Sequence, residues 1–218
     1  PETEVVGCET GADANANVDC RLAGGSKSIN TYWASQVNGY RAPQLIIVDG
    51  STPTSCGTAS NETGPFYCPP EEKVYIDPTF FDVLEQQFGD ETGPLAQLYV
   101  LAHEYGHHIQ QITGTFDKYP NNGTGPLSNG VRTELQADCF AGAWVANAAQ
   151  TTDAGYSSPI QETVSGSANS NTPVSLFIAV CGAIHFFRTA NPEITLTTFI
   201  RAIRPVQSNF WNKDQSGL

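Results

Sequence analysis

Residues 95–111 constrain this chain most, because they contain the sequence H-E-Y-G-H at positions 103–107. On a helix, residues four apart are offset by only about 40°, so His103 and His107 would present their imidazoles to one point. Two histidines at this spacing are typical ligands of a zinc ion. Glu104 would lie about 100° round the helix, where it could reach a water bound to the metal and act as a general base.

The same stretch also fits a plainer interpretation, a surface helix with two solvated histidines. Three of the four histidines of the chain lie here, which favours a metal site. His108, about 120° from the ligand direction, is expected at the surface or behind the ligands. An apolar side opposite the two histidines would be buried, and it consists of Leu95, Leu98, Ala102, Tyr105 and Ile109.

A second helix is predicted for about residues 131–150, and it carries Glu134 and Asp138 on one face. A hydrolytic zinc site keeps three protein ligands, and the continuation with a third histidine six residues after His107 is absent. We therefore expect Glu134 as the third ligand and Asp138 as the acceptor for the outer N–H of a zinc histidine, His103. The exchanged assignment, with Asp138 as the ligand, stays open.

Such a site would hydrolyse peptide bonds with one catalytic Zn²⁺. The ion would lower the pKa of its water to about 7, and Glu104 would take the proton as that water attacks a carbonyl. A further donor to the developing oxyanion is expected. His185 and Tyr105 are candidates, although His185 also fits a hydrogen-bonded core histidine and Tyr105 points to the apolar side of its helix.

The composition limits the partners and the location of this protein. The 218 residues suffice for one domain, 1–218. A net charge of -12 with only ten Lys and Arg argues against a nucleic-acid partner. The longest apolar run, 175–187, is too short to span a bilayer, so no membrane span is predicted. The start at Pro1 and the lack of methionine suggest the mature form of an exported protein.

The six cysteines favour disulfides in a secreted or extracytoplasmic protein, because no C-x-x-C pair indicates a zinc ribbon or redox dithiol. Sequence alone allows fifteen connectivities. Cys8 with Cys20 and Cys56 with Cys68 are near neighbours, which leaves Cys139 with Cys181. Buried free thiols are the alternative interpretation.

The order of elements predicts an α+β fold in which a small sheet precedes the two metal-binding helices. Residues 1–27 are expected to form an irregular, disulfide-tied extension, and 51–70 an ordered loop. Strands are predicted at 44–49 and 73–76, the second as an edge strand that could pair with a substrate. Further helices are predicted at 28–37, after Asp77, and at 174–188 and 195–203, and the turn-rich stretch 113–130 could border the cleft.

Longer blocks of the sequence resemble the bacterial family named putative neutral zinc metallopeptidase. They are C-G-T-A-S from Cys56, G-P-F-Y-C-P from Gly64, V-Y-I-D-P-T-F-F from Val74, L-Y-V-L-A-H-E-Y-G-H-H-I-Q from Leu98 and R-T-E-L-Q-A-D-C-F-A-G from Arg132. The resemblance implies a zincin-like fold of the gluzincin type. It also implies His103, His107 and Glu134 as metal ligands, Glu104 as base and Asp138 behind them.

The expected function is therefore that of a secreted, zinc-dependent endopeptidase acting on a protein or peptide substrate. Two alternatives remain at this point. One is a zinc-holding binding or scaffold protein without turnover, and the other is a zinc amidase acting on cell-wall material.

Overall fold

The structure is a computed structural model that describes residues 7–88, 93–123 and 128–148. The expected helices at 174–188 and 195–203, together with Cys181 and His185, lie outside these residues. The described helices are α1 (Gly11–Ala16), α2 (Val18–Gln36), α3 (Thr79–Phe88), α4 (Pro94–Ile112), α5 (Thr115–Lys118) and α6 (Asn129–Ala148), and the strands are β1 (Gln44–Ile47), β2 (Ser51–Thr54), β3 (Gly57–Ser60), β4 (Phe66–Cys68) and β5 (Lys73–Ile76).

The N-terminal region is helical, so the expectation of an irregular extension up to residue 27 is wrong. The Asn17 side chain accepts hydrogen bonds from two N–H groups of the first turn of α2 and caps that helix. Glycine in α2 serves close packing, since a Cβ at Gly25 would lie 2.5 Å from Cδ2 of Leu98 in α4. The predicted Cys8–Cys20 disulfide is confirmed and ties the start of the chain to α2.

Among the described residues, the main sheet has three strands in the order β1-β5-β4. β1 pairs with β5 in parallel, and β4 pairs with β5 in an antiparallel arrangement. The predicted strand at residues 73–76 therefore exists, but it is central and hydrogen-bonded on both sides. It cannot add a substrate strand, so that expectation is wrong, and the edges of this sheet are β1 and β4.

The segment predicted as a loop at residues 51–70 contains β4 and the antiparallel pair of β2 and β3. The two strands are joined by a tight turn that ends at Gly57, whose positive φ of 119° is accessible to glycine. The predicted Cys56–Cys68 disulfide is confirmed and links this turn to the end of β4. The third expected pair, Cys139 with Cys181, includes a residue outside the described part of the chain.

Helix α4 forms the centre of the described core. Every residue from Leu98 to Gln110 is buried, because α2 packs on one side of the helix and α6 on another. The oxygen Oδ1 of Asp77 accepts from the N–H and the hydroxyl of Thr79 and caps the start of α3, as the sequence predicts. Within the three described ranges, no helix is long and apolar enough to cross a membrane.

Candidate metal centre

Helices α4 and α6 bring His103, His107 and Glu134 together. One ligand atom from each residue lies within 4.8 Å of the other two, as in a site that could hold a metal ion. The Glu134 oxygen Oε2 lies 3.2 Å from Nε2 of His103 and 3.5 Å from Nε2 of His107. Both imidazoles thus turn the same nitrogen to one carboxylate oxygen, and the expected convergence of these three side chains is present in the structure.

The two helices approach closely at the centre because Gly106 has no side chain. A Cβ at this position would lie 2.9 Å from both Cα and the carbonyl oxygen of Ala137. Gly106 stands between the two histidines, and Ala137 stands between Glu134 and Asp138 in sequence. A small residue on each helix therefore sets the distance between the histidine pair and the carboxylates.

Asp138 holds His103 from behind. Its oxygen Oδ1 lies 2.8 Å from Nδ1 of His103, so the imidazole N–H donates to the carboxylate and Nε2 is left facing Glu134. The Tyr99 hydroxyl lies 3.3 Å from the same Asp138 oxygen. These contacts favour Glu134 over Asp138 as the residue that faces the centre, because Asp138 is engaged on the far side of the ring.

Gln110 holds His107 in the corresponding way. Its oxygen Oε1 lies 2.9 Å from Nδ1 of His107, and its side chain is fully buried. Sequence reasoning did not single out this residue. The only signal available was a polar residue three positions after a predicted ligand, on a helix whose neighbours are buried.

Glu104 is buried beside the two histidines, with only 1% of its surface exposed. The backbone N–H of Tyr67 in β4 donates to its carboxylate. Burial raises the pKa of Glu104, and the nearby charges of His103 and His107 oppose that rise in part. Helix α4 thus places a buried carboxylate, with an increased proton affinity, next to the ligand cluster, and β4 supplies a donor to it.

His108 is fully buried, and the expectation of a surface position is wrong. Its Nδ1 lies 3.0 Å from the Tyr67 hydroxyl, and its Nε2 donates to the Arg41 carbonyl oxygen at 2.7 Å. Because the carbonyl can only accept, Nδ1 is the acceptor for the Tyr67 hydroxyl. His108 therefore connects α4 to β4 and to the segment before β1, and it faces away from the ligand cluster.

The electrostatics of the cluster favour a positive charge at its centre. Burial alone would lower the pKa of His103, but Asp138 and Glu134 outweigh it and raise that pKa well above the usual value. For His107, burial likewise opposes protonation, and Glu134 raises its pKa. Burial would raise the pKa of Glu134, but the two histidines lower it. Two imidazole nitrogens and one carboxylate oxygen that lie this close together are a suitable donor set for Zn²⁺.

Of the two candidate oxyanion donors, only Tyr105 belongs to the described residues, and its hydroxyl contacts α2 and not the ligand cluster. The Tyr105 hydroxyl is buried and lies 2.6 Å from the Ser26 hydroxyl of α2, on the side of α4 that packs into the core. His185 lies outside the described residues. An oxyanion donor is therefore not assigned by the geometry.

Two histidines of H-E-x-x-H that meet a glutamate from a second helix form a residue pattern that is typical of zinc metallopeptidases. The family model for "Putative neutral zinc metallopeptidase" matches residues 3–170. The chain belongs to this family.

The chain is also similar to several curated proteins, whose names describe them as uncharacterized. The chain is 46% identical over 144 residues to an uncharacterized protein of Mycobacterium tuberculosis strain H37Rv, covering 66% of this chain and 49% of the relative. It is 46% identical over 110 residues to the uncharacterized protein YpfJ of Escherichia coli K12, covering 48% of this chain and 38% of the relative. The chain thus spans about half the length of these relatives or less. No solved structure matches the chain significantly.

Proposed function

We propose that this protein is a secreted, zinc-dependent endopeptidase with a zincin-like fold, and that residues 1–218 act as a single domain with one catalytic metal ion. The observation that carries the proposal is the convergence of His103, His107 and Glu134 within 4.8 Å beside the buried Glu104. Membership in a zinc metallopeptidase family agrees with this chemistry.

In this proposal, Nε2 of His103, Nε2 of His107 and the Glu134 carboxylate hold the metal. Bound zinc would act as a Lewis acid and make its water acidic near neutral pH. Asp138 and Gln110 keep the two imidazoles oriented with Nε2 toward the centre. Glu134 retains 22% of its side-chain surface exposed, so the ligand cluster is accessible from one side.

Glu104 is the proposed general base. It takes a proton from the attacking water and passes it to the leaving amine of the cleaved peptide bond. Burial suits this role because it raises the pKa of the carboxyl toward the range in which it can both accept and release a proton. The Tyr67 N–H keeps the carboxylate oriented during these two transfers.

The two described disulfides agree with a secreted or extracytoplasmic location, since such bonds persist in oxidising compartments. A protein or peptide is the proposed substrate, in line with the family. The two alternatives, a zinc scaffold without turnover and a zinc amidase acting on cell-wall material, are separated from the proposal by experiment.

The deciding variant is Glu104→Gln, which keeps the size of the side chain and removes the base. Casein cleavage should fall by about 100-fold or more, while bound zinc, measured by metal analysis, stays at the parent level. Glu85→Gln, at an exposed position in α3, is the matched control and should cleave like the parent. Unchanged cleavage in Glu104→Gln would remove Glu104 from the mechanism. A parent that binds zinc but cleaves only peptidoglycan, or nothing, would support the amidase or the scaffold instead.

A further inference from the structure

Gln110 is a fully buried polar side chain at the contact between α4 and α6. It lies three residues after His107 on α4, and it makes three hydrogen bonds. A buried amide with all these partners satisfied is costly to replace, because each partner would lose a hydrogen bond.

The partners of Gln110 fix the orientation of its amide. Its Nε2 lies 2.7 Å from the carbonyl oxygen of Thr133, which can only accept, so the NH₂ group must face α6. The same NH₂ group donates to Oε1 of Gln136 at 3.0 Å. The amide oxygen is therefore turned toward His107, at 2.9 Å from its Nδ1.

This orientation decides the tautomer of His107. An amide oxygen cannot donate, so Nδ1 of His107 carries the proton and donates to it. In the neutral imidazole the lone pair is then on Nε2, which faces Glu134. Thr133 directly precedes Glu134 in the chain, so the bond from Gln110 to the Thr133 carbonyl also holds the peptide that leads to the third proposed ligand.

We infer that Gln110 is a positioning residue that fixes His107 for metal binding and ties it to the part of α6 that carries Glu134. The inference rests on the proposed zinc site. The two histidines differ in the charge of their partner, since Nδ1 of His103 donates to the carboxylate of Asp138 and Nδ1 of His107 to a neutral amide. A neutral partner orients the ring without adding a second buried negative charge behind the metal.

The test compares zinc affinity among variants of position 110. Gln110→Met keeps the volume of the side chain and removes all three bonds, and it should weaken zinc binding by about 10- to 100-fold. Gln110→Glu keeps an acceptor for the His107 N–H but loses the donors to Thr133 and Gln136. It should bind zinc more tightly than Gln110→Met, although its metal-free form should be less stable than the parent. Gln111→Met, at the neighbouring and partly buried position of the same helix, is the matched control and should bind zinc like the parent.

Affinity is measured by competition with a chromophoric chelator, and the thermal midpoint of the chelator-stripped protein is measured separately. Cobalt substitution gives a second readout, because the visible absorption of Co²⁺ should change in Gln110→Met if the His107 ring has moved. Unchanged zinc affinity in Gln110→Met, or a Gln110→Glu variant that binds no better than Gln110→Met, would overturn the inference. If Gln110→Met does not fold, the test uses Gln110→Glu alone. A loss of zinc affinity of more than about 100-fold in Gln110→Glu would then overturn the inference. A parent that does not bind zinc would refute the proposed function itself.

Discussion

Substituting Gly106 by alanine tests whether the close approach of α4 and α6 sets the geometry of the proposed metal site. The added methyl group would lie 2.9 Å from two backbone atoms of Ala137, its Cα and its carbonyl oxygen, and 3.1 Å from its Cβ. Backbone atoms cannot rotate away as the end of a side chain can. The two helices must therefore move apart at this point.

The size of the effect follows from these distances. Ordinary contact begins near 3.4 Å, so the 2.9 Å contacts must lengthen by about 0.5 Å. Metal–ligand distances tolerate only about 0.2 Å, so a shift of this size between the histidines and Glu134 should weaken zinc binding at least about 10-fold. Overpacking costs about 1–3 kcal/mol, and the better helix propensity of alanine returns about 1 kcal/mol. We expect a net loss of about 0–2 kcal/mol in the free energy of unfolding.

The assay is urea unfolding of the chelator-stripped protein, together with zinc competition on the folded protein. Gly25→Ala is the matched control, because its new Cβ would meet the ends of the side chains of Leu98 and Leu101, which can move. It should leave zinc affinity at the parent level. If the Gly106→Ala variant were more stable than the parent by about 1 kcal/mol and bound zinc equally well, the helix propensity of alanine would explain the result. The claim that α4 and α6 approach closely at this point would then be refuted.

Two further predictions concern hydrogen bonds made by Tyr67 and Glu71. Tyr67→Phe removes the donor to the buried Nδ1 of His108, so the free energy of unfolding in urea should fall by about 1–3 kcal/mol. Tyr119→Phe, at a half-exposed tyrosine, is the control and should leave the free energy of unfolding unchanged. Glu71→Gln tests a carboxylate whose pKa is lowered to about 2, chiefly by the Tyr75 hydroxyl. Because the pKa is lowered in the folded protein, the ionised carboxylate stabilises the fold at any pH above its ordinary pKa of 4.5. That stability is lost as the pH falls through about 2. The variant should therefore be less stable than the parent at pH 7, by about 1–2 kcal/mol, and the two should converge near pH 2, whereas a constant difference at every pH would contradict this.

The parts of the fold that could be predicted from the sequence are those that depend on local pattern. The start of α3 followed from Asp77, and the strand at residues 73–76 from its apolar run, because caps and short apolar runs act within a few residues. The helical α2 was missed at its N-terminal half, where glycines suggested a loop. Gly25 is explained by its close packing against Leu98 of α4, which no local pattern reveals.

The sequence by itself determined the two histidines, the neighbouring glutamate and the pair of acids on the second helix, because helical periodicity alone places residues four apart on one face. Only the tertiary structure decided that Glu134 faces the histidines while Asp138 lies behind His103, that Gln110 orients His107, and that β4 reaches Glu104 through the Tyr67 N–H. Each of these contacts, except that of Gln110 with His107, joins residues far apart in the chain. The contacts of the two histidines with Glu134 and Asp138 depend on how closely α4 and α6 pack, which is set by side-chain volume at Gly106 and Ala137 rather than by any repeating pattern.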